Sequence, residues 1–201
     1  KMHTISIFAR PARQRILHNL RADLPVSVSL AGGALLGKST LLAHLTGELS
    51  GQGGHPVVLV DCAQTRPGTQ PPGPPEAAGR WSVFLDNWDA IARWQGEDRQ
   101  RWAEWIAASQ PGRALLLACR HPLHEVATAI GFASPLPHIQ QTFLGLIDGD
   151  EAGRVVQAAL AAFPESAGLA PALVEWCGGH PFLLDRLGEL LADVAALLPG
   201  G

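Results

Sequence analysis

The chain has 201 residues, 47% of them hydrophobic, and a formal net charge of −3. That is enough apolar material for one α/β domain with a large core, or for a core plus a small helical appendage. The balance of charge supplies no basic field, so nucleic acid is not expected as the main partner of this domain.

Three cysteines, Cys62, Cys119 and Cys177, are odd in number and widely spaced. With no CxxC pair and no signal-peptide pattern, they predict reduced thiols and a cytoplasmic location. No apolar run is long enough for a membrane span. The Lys1-Met2 start reads as a remnant or an excised end, so further domains of a longer chain, or a protein partner, are expected.

In chain order, residues 3–8 predict a short strand or an extended entry, and residues 11–22 a helix with Ile16, Leu17 and Leu20 as its apolar stripe. Pro25 to Ala31 is β-branched and apolar and reads as a strand. Next comes Gly32-Gly33-Ala34-Leu35-Leu36-Gly37-Lys38-Ser39-Thr40, which matches G-x-x-x-x-G-K-[ST] at every position. Ser39 to Leu49 then predicts a helix with Leu41, Leu42, Leu45 and Leu49 on one face.

Strand, glycine loop and helix together are the context a phosphate-binding loop requires. Glycines tolerate positive φ and admit phosphate oxygens close to the main chain. The helix start supplies N–H groups and a favourable dipole for negative charge. Only two lysines stand against thirteen arginines, and Lys38 is the internal one. A compact ammonium reaches between phosphates where a planar guanidinium does not. Lys38 is therefore expected on the β- and γ-phosphates, and the Ser39 hydroxyl on Mg²⁺.

His55 to Asp61 is a near-continuous apolar run ending in a carboxylate, the pattern of a buried parallel strand. Residues 66–80 are rich in proline and can form neither helix nor strand. They stand where a crossover helix is expected, and the sequence does not say whether this loop is native or shortened. Trp81 to Asp86 predicts a third strand, residues 89–109 a helix, Ala114 to Arg120 a fourth strand and His138 to Leu144 a fifth. Helices are expected over 149–163, 169–177 and 181–198. The fold class is α/β: a P-loop NTPase with a parallel sheet flanked by helices over 1–147, then a small all-α lid over 148–201.

Asp61 and Asp86 both end strands and qualify as the Mg²⁺ carboxylate. Asp86 is preferred, because Val83-Phe84-Leu85-Asp86 is a clean Walker B pattern and the strand of Asp61 is expected further out. Hydrolysis commonly uses a second acid beside it, yet the neighbour is Asn87, which cannot accept a proton at neutral pH. Asp89 is a substitute by position, or simply an acid in the first turn of a helix. Arg120 ends the fourth strand, where a guanidinium can report a γ-phosphate. His121, His124 and Glu125 lack a further ligand at metal-site spacing and read as solvated loop residues. Asp148-Gly149-Asp150-Glu151 lacks most of a calcium loop and reads as a helix cap. The tryptophans are expected in the core or at an interface.

The order of the phosphate loop, Phe84-Leu85-Asp86-Asn87, Leu115 to Arg120, and Cys177-Gly178-Gly179-His180-Pro181 resembles the STAND NTPases, AAA+-like signal-transducing ATPases. The resemblance implies an ATP/ADP site cofactored by Mg²⁺. Lys38 and Thr40 would hold phosphates, Ser39 and Asp86 Mg²⁺, Arg120 the γ-phosphate, and His180 with Pro181 the adenine side. It also implies a nucleotide-dependent switch, with a nucleotide-dependent oligomer among its expected assemblies. The departures are Phe8-Ala9-Arg10-Pro11 in place of Phe-x-Gly-Arg, and Asn87 in place of the second acid, which makes hydrolysis slow or absent. Two alternatives stay open: a small-molecule kinase on the same loop, and a degenerate P-loop scaffold. Guanine selectivity is disfavoured, since no N-K-x-D-type segment occurs.

Overall fold

The structure, a computed structural model, describes residues 10–22, 24–51, 55–75, 79–108, 110–132, 136 and 138–197. The strand expected at 3–8 lies outside the described residues.

The apolar stripe of the first helix, α1 (Arg10–Arg21), is buried at Ile16, Leu17 and Leu20. The five strands of the described residues are β1 (Ser27–Ala31), β2 (Val57–Asp61), β3 (Trp81–Asp86), β4 (Arg113–Cys119) and β5 (Ile139–Phe143). They form one parallel sheet in the order β2-β3-β4-β1-β5. Parallel pairing requires crossovers, and the helices that supply them cover the sheet. Every residue of β1, β3 and β4 is buried.

β2 takes the outer place expected for the strand of Asp61, but not the burial that its apolar run predicts. It is an edge strand, only partly buried, with Leu59 at 46% exposure. A continuous apolar run predicts burial on both faces, but strand order decides who sits at the rim. His55 leads into it, and its Nε2 lies 2.8 Å from Ser82 Oγ on β3.

α2 (Lys38–Gly51) follows the glycine loop and buries Leu41, Leu42, Leu45 and Leu49. The single helix expected over 89–109 is two pieces, a 3-10 helix at Trp88–Arg93 and α3 (Gly96–Ala107). Trp94 and Gln95 between them are extended, and Gly96 takes φ +60. A left-handed residue interrupts the helical ladder, and glycine does this with least strain. The proline-rich connection carries no helix or strand among its described residues, and Trp102 Nε1 fixes it by donating to Thr69 O at 2.9 Å.

α4 (Leu123–Ile130) has no counterpart in the sequence reading. It includes His124 and Glu125, expected in a loop, and turns Leu123, Val126, Ala127 and Ile130 inward. Its first amide is answered from β5, where Gln141 Oε1 accepts from Leu123 N at 2.8 Å. The core of this part gathers Trp81, Trp88, Trp94 and Trp102 with Val83, Leu85, Leu115 and Leu117.

The remaining helices are α5 (Gly149–Ala159), α6 (Ala170–Cys177) and α7 (Pro181–Leu197), with short 3-10 turns at Leu160–Ala162 and Pro164–Leu169. Asp148 caps α5, its Oδ1 accepting from Glu151 N at 2.9 Å. These helices have their own core of Ala152, Val156, Leu160, Cys177, Leu184 and Leu187. The chain thus divides into two compact units. One holds Pro11–Ala34 and Lys38–Leu144; the other takes in Leu35–Gly37 and the segment from Gly145 onward. Among the described residues no helix is long and apolar enough to cross a membrane.

Candidate functional site

The C-terminal ends of parallel strands are where open α/β sheets bind ligands. Here that edge collects the residues singled out by the motifs. Register places Ala31 beside Cys119, Asp86 beside Ala118, and Asp61 beside Asp86. Gly32 N extends the β1–β4 ladder by one bond to Cys119 O at 3.2 Å. In the loop that follows, Leu35 takes φ 61 and Gly37 φ 84. Positive φ is unusual for a branched aliphatic residue and concentrates at ligand-holding loops. The expected freedom of the glycines is used at Gly37, whereas Gly32 and Gly33 serve through their carbonyls.

Those carbonyls hold the lysine. Lys38 Nζ donates to Gly32 O at 2.6 Å and to Gly33 O at 2.7 Å. Its residue is only 8% exposed, and burial is the largest influence on it, pushing its pKa below the usual lysine value. Asp86, Cys119 and Asp89 push the other way and Arg120 adds to the lowering. Lys38 is thus a desolvated cation with too little negative charge around it, a deficit that phosphate oxygens would fill. Ser39 is exposed and Thr40 half-buried at the start of α2, and neither hydroxyl bonds to a described residue.

Asp86 is 8% exposed and is not on the strand next to the loop, because β4 lies between β1 and β3. The strand adjoining β1 is the one that Arg120 follows. Asp86 Oδ1 accepts from Asn87 N at 3.0 Å. Together with the exposed Ser39 hydroxyl it offers hard oxygen donors, which suit Mg²⁺. Asn87 is left-handed at φ 51, and its Nδ2 donates to Asp61 Oδ1 at 3.0 Å. Arg120 is exposed and close enough to act on the charge of Lys38. The structure thus brings Lys38, Asp86, Asp89 and Arg120 into one electrostatic neighbourhood.

Two thiols close the inner side of this edge. Burial pushes Cys62 up to about 12 and Cys119 up to about 11, so both stay protonated at neutral pH. His121 Nδ1 and Glu125 Oε2 are 3.5 Å apart, both exposed, and no three metal-ligating side chains cluster among the described residues. The sequence reading did not foresee the Asp61–Asn87 pairing. It depends on β2 and β3 being neighbours, and no local pattern in either segment encodes that.

His180 and Pro181 belong to the helical unit. Gly178 and Gly179 take φ 55 and 69 to end α6, and Pro181 starts α7 at a position where its missing N–H costs nothing. Gly179 has no room for a side chain, since an added Cβ would lie 2.3 Å from Ile147 O. Ile147 N donates back to Gly179 O at 2.8 Å. Pro181 is buried, and the buried His180 Nδ1 has no hydrogen-bond partner among the described residues.

A scan of family models matches none to the chain, and a search of curated proteins finds no match. Solved structures do share its architecture. RuvB from Thermotoga maritima aligns at 15% identity and TM-score 0.54, covering 96% of this chain and 62% of that one. NtrX from Brucella abortus in complex with ADP aligns at 13% identity and TM-score 0.58, covering 96% and 51%. Drosophila ORC bound to DNA aligns at 13% identity and TM-score 0.52, covering 97% and 60%. The chain therefore spans between 51% and 62% of the length of these structures. At such identities the likeness is one of fold, and the fold is that of a P-loop NTPase with a C-terminal helical part.

Proposed function

We propose that this chain is the nucleotide-binding module of a STAND-like signalling ATPase, binding ATP or ADP with Mg²⁺ and switching between nucleotide states. The observation that carries the reading is the buried Lys38 ammonium, held by the Gly32 and Gly33 carbonyls at 2.6 and 2.7 Å. In water-poor surroundings such a cation gains most from an anion, and a phosphate exchanged for the carbonyls supplies it.

In this reading Lys38 and Thr40 contact the β- and γ-phosphates, and the main chain of Gly32 to Gly37 surrounds them. Ser39 and Asp86 hold Mg²⁺, which when bound would neutralise phosphate charge. Arg120 responds to the γ-phosphate. His180, whose Nδ1 has no hydrogen-bond partner among the described residues, and Pro181 serve the adenine side. The element proposed to respond is the helical unit from Gly145 onward. Nucleotide would bias that unit by contacting it differently in its two states. Asn87 in place of a second acid favours slow turnover, consistent with a switch. The boundary between binding module and lid at 147/148, the cytoplasmic location, nucleotide-dependent assembly and a longer parent chain belong to the same proposal.

A thermal-shift titration with Mg-ATP and Mg-ADP tests it. Stabilisation by both is expected, and no shift with either would leave a scaffold as the better reading. Phosphate transfer from labelled ATP to added small acceptors would instead favour the kinase.

A further inference from the structure

The connection from β2 to β3 contains a tight turn. Thr69 N donates to Arg66 O at 3.2 Å, and Gly68 takes φ 89 at the corner. Proline in the second place and a left-handed glycine in the third, here Pro67 and Gly68, are what a type II turn requires. Directly after it, Trp102 Nε1 on α3 donates to Thr69 O at 2.9 Å, which ties the exit of the turn to the core.

Gln70-Pro71-Pro72-Gly73-Pro74-Pro75 follows. Its prolines hold φ at about −65° and withhold the N–H groups that a helix or sheet would use. Gln70, Pro71, Gly73 and Pro74 each precede a proline, which pushes them to extended conformations too. Gly73 has the most freedom, yet it is not left-handed, and a Cβ added to it would meet nothing within 4 Å. None of residues 70–75 lies in a helix or strand or forms a hydrogen bond with a described residue. An extended, proline-set backbone without internal hydrogen bonds is the polyproline II conformation.

That helix repeats every three residues, so it has three ridges. Pro72 and Pro75 share one ridge and are both half-buried. Gln70 and Gly73 share another and are both exposed. The third carries Pro71, half-buried, and Pro74, exposed. Beside its buried ridge the segment thus shows solvent the pattern x-P-x-x-P.

We infer that residues 70–75 dock into a second protein, in an aromatic-lined groove of the kind that takes polyproline II ligands, with Pro71 and Pro74 as the inserted side chains. A segment already in that conformation loses little entropy on binding. The Trp102–Thr69 bond adds to this by holding one end. A loop that only joined two strands would have no need for two prolines three residues apart on an outer ridge. The inference is independent of the nucleotide reading of Lys38.

Calorimetric titration of the full chain against a panel of purified SH3 and WW domains tests it. Saturable binding to at least one of them is expected. Pro74→Ala should weaken that binding at least about tenfold, as withdrawing an apolar side chain from a pocket does. Its backbone bias survives, because position 74 still precedes Pro75. Pro72→Ala removes a proline of the same loop from the half-buried ridge and should bind as the parent does. Absence of binding by the parent to every domain overturns the inference, and so does equal affinity of Pro74→Ala and the parent. An equal loss in Pro72→Ala and Pro74→Ala also overturns it, since the prolines would then serve only to stiffen the connection.

Discussion

Asn87 Nδ2 donates to Asp61 Oδ1 at 3.0 Å and joins the ends of two neighbouring strands just where a second acid is missing. The amide at 87 is therefore matched to a carboxylate at 61. Asn87→Asp sets two acids against each other, loses the bond, and should lower stability to urea by about 1 kcal/mol. Adding Asp61→Asn exchanges donor and acceptor and should recover most of that loss. Simple additivity of the two changes would show that the pair is not coupled.

Gly179 holds the end of α6 against the backbone of Ile147. Gly179→Ala must move a Cβ that would lie 2.3 Å from Ile147 O, in a conformation of φ 69 that alanine disfavours. A loss on the order of 2 kcal/mol is expected, read as a lower melting temperature. Gly188→Ala, in the middle of α7 with nothing within 4 Å of its added Cβ, should be neutral or stabilising.

Trp102 Nε1 ties the proline-rich connection to α3 through Thr69 O at 2.9 Å. Trp102→Phe retains much of the apolar packing but leaves that carbonyl without its donor. The expected cost is about 1 kcal/mol in urea unfolding. An unchanged midpoint would mean the loop is held by packing alone.

His55 is partly buried beside Ser82, and its pKa is lowered from 6.5, first by burial and then by Arg80 and Arg21. The unfolded chain therefore takes up this proton before the folded chain does. The His55 contribution is complete above pH 6.5 and is lost as pH falls from there through the lower folded value. Urea midpoints should decline over that interval in the parent and decline less in His55→Gln. Parallel profiles would contradict the assignment.

Much of this architecture could be read from local pattern. β1, β3 and β4 are apolar runs of strand length, and the glycine loop between β1 and α2 is a motif with defined flanks. What escaped reading depends on relations between segments. The apolar run Val57 to Val60 predicts burial of β2, yet no described strand pairs beyond it, and its outer place leaves Leu59 exposed. α4 is only eight residues, and His124 and Glu125 masked its inward stripe of Leu123, Val126, Ala127 and Ile130. The break at Gly96 lies in a stretch otherwise helical in composition. In the site, motif spacing singled out Lys38 and Asp86 as candidates, but the intervening strand β4 and the Asp61–Asn87 bond required the sheet order.

The central claim is that Lys38 is the grip of a nucleotide site, and calorimetric titration of Mg-ATP into the parent and Lys38→Ala tests it most directly. The account predicts saturable binding to the parent and a loss of about 100-fold or more in affinity for the variant, the upper range for a charge-assisted hydrogen bond. Equal affinity in the two proteins, or no binding to the parent, would contradict it.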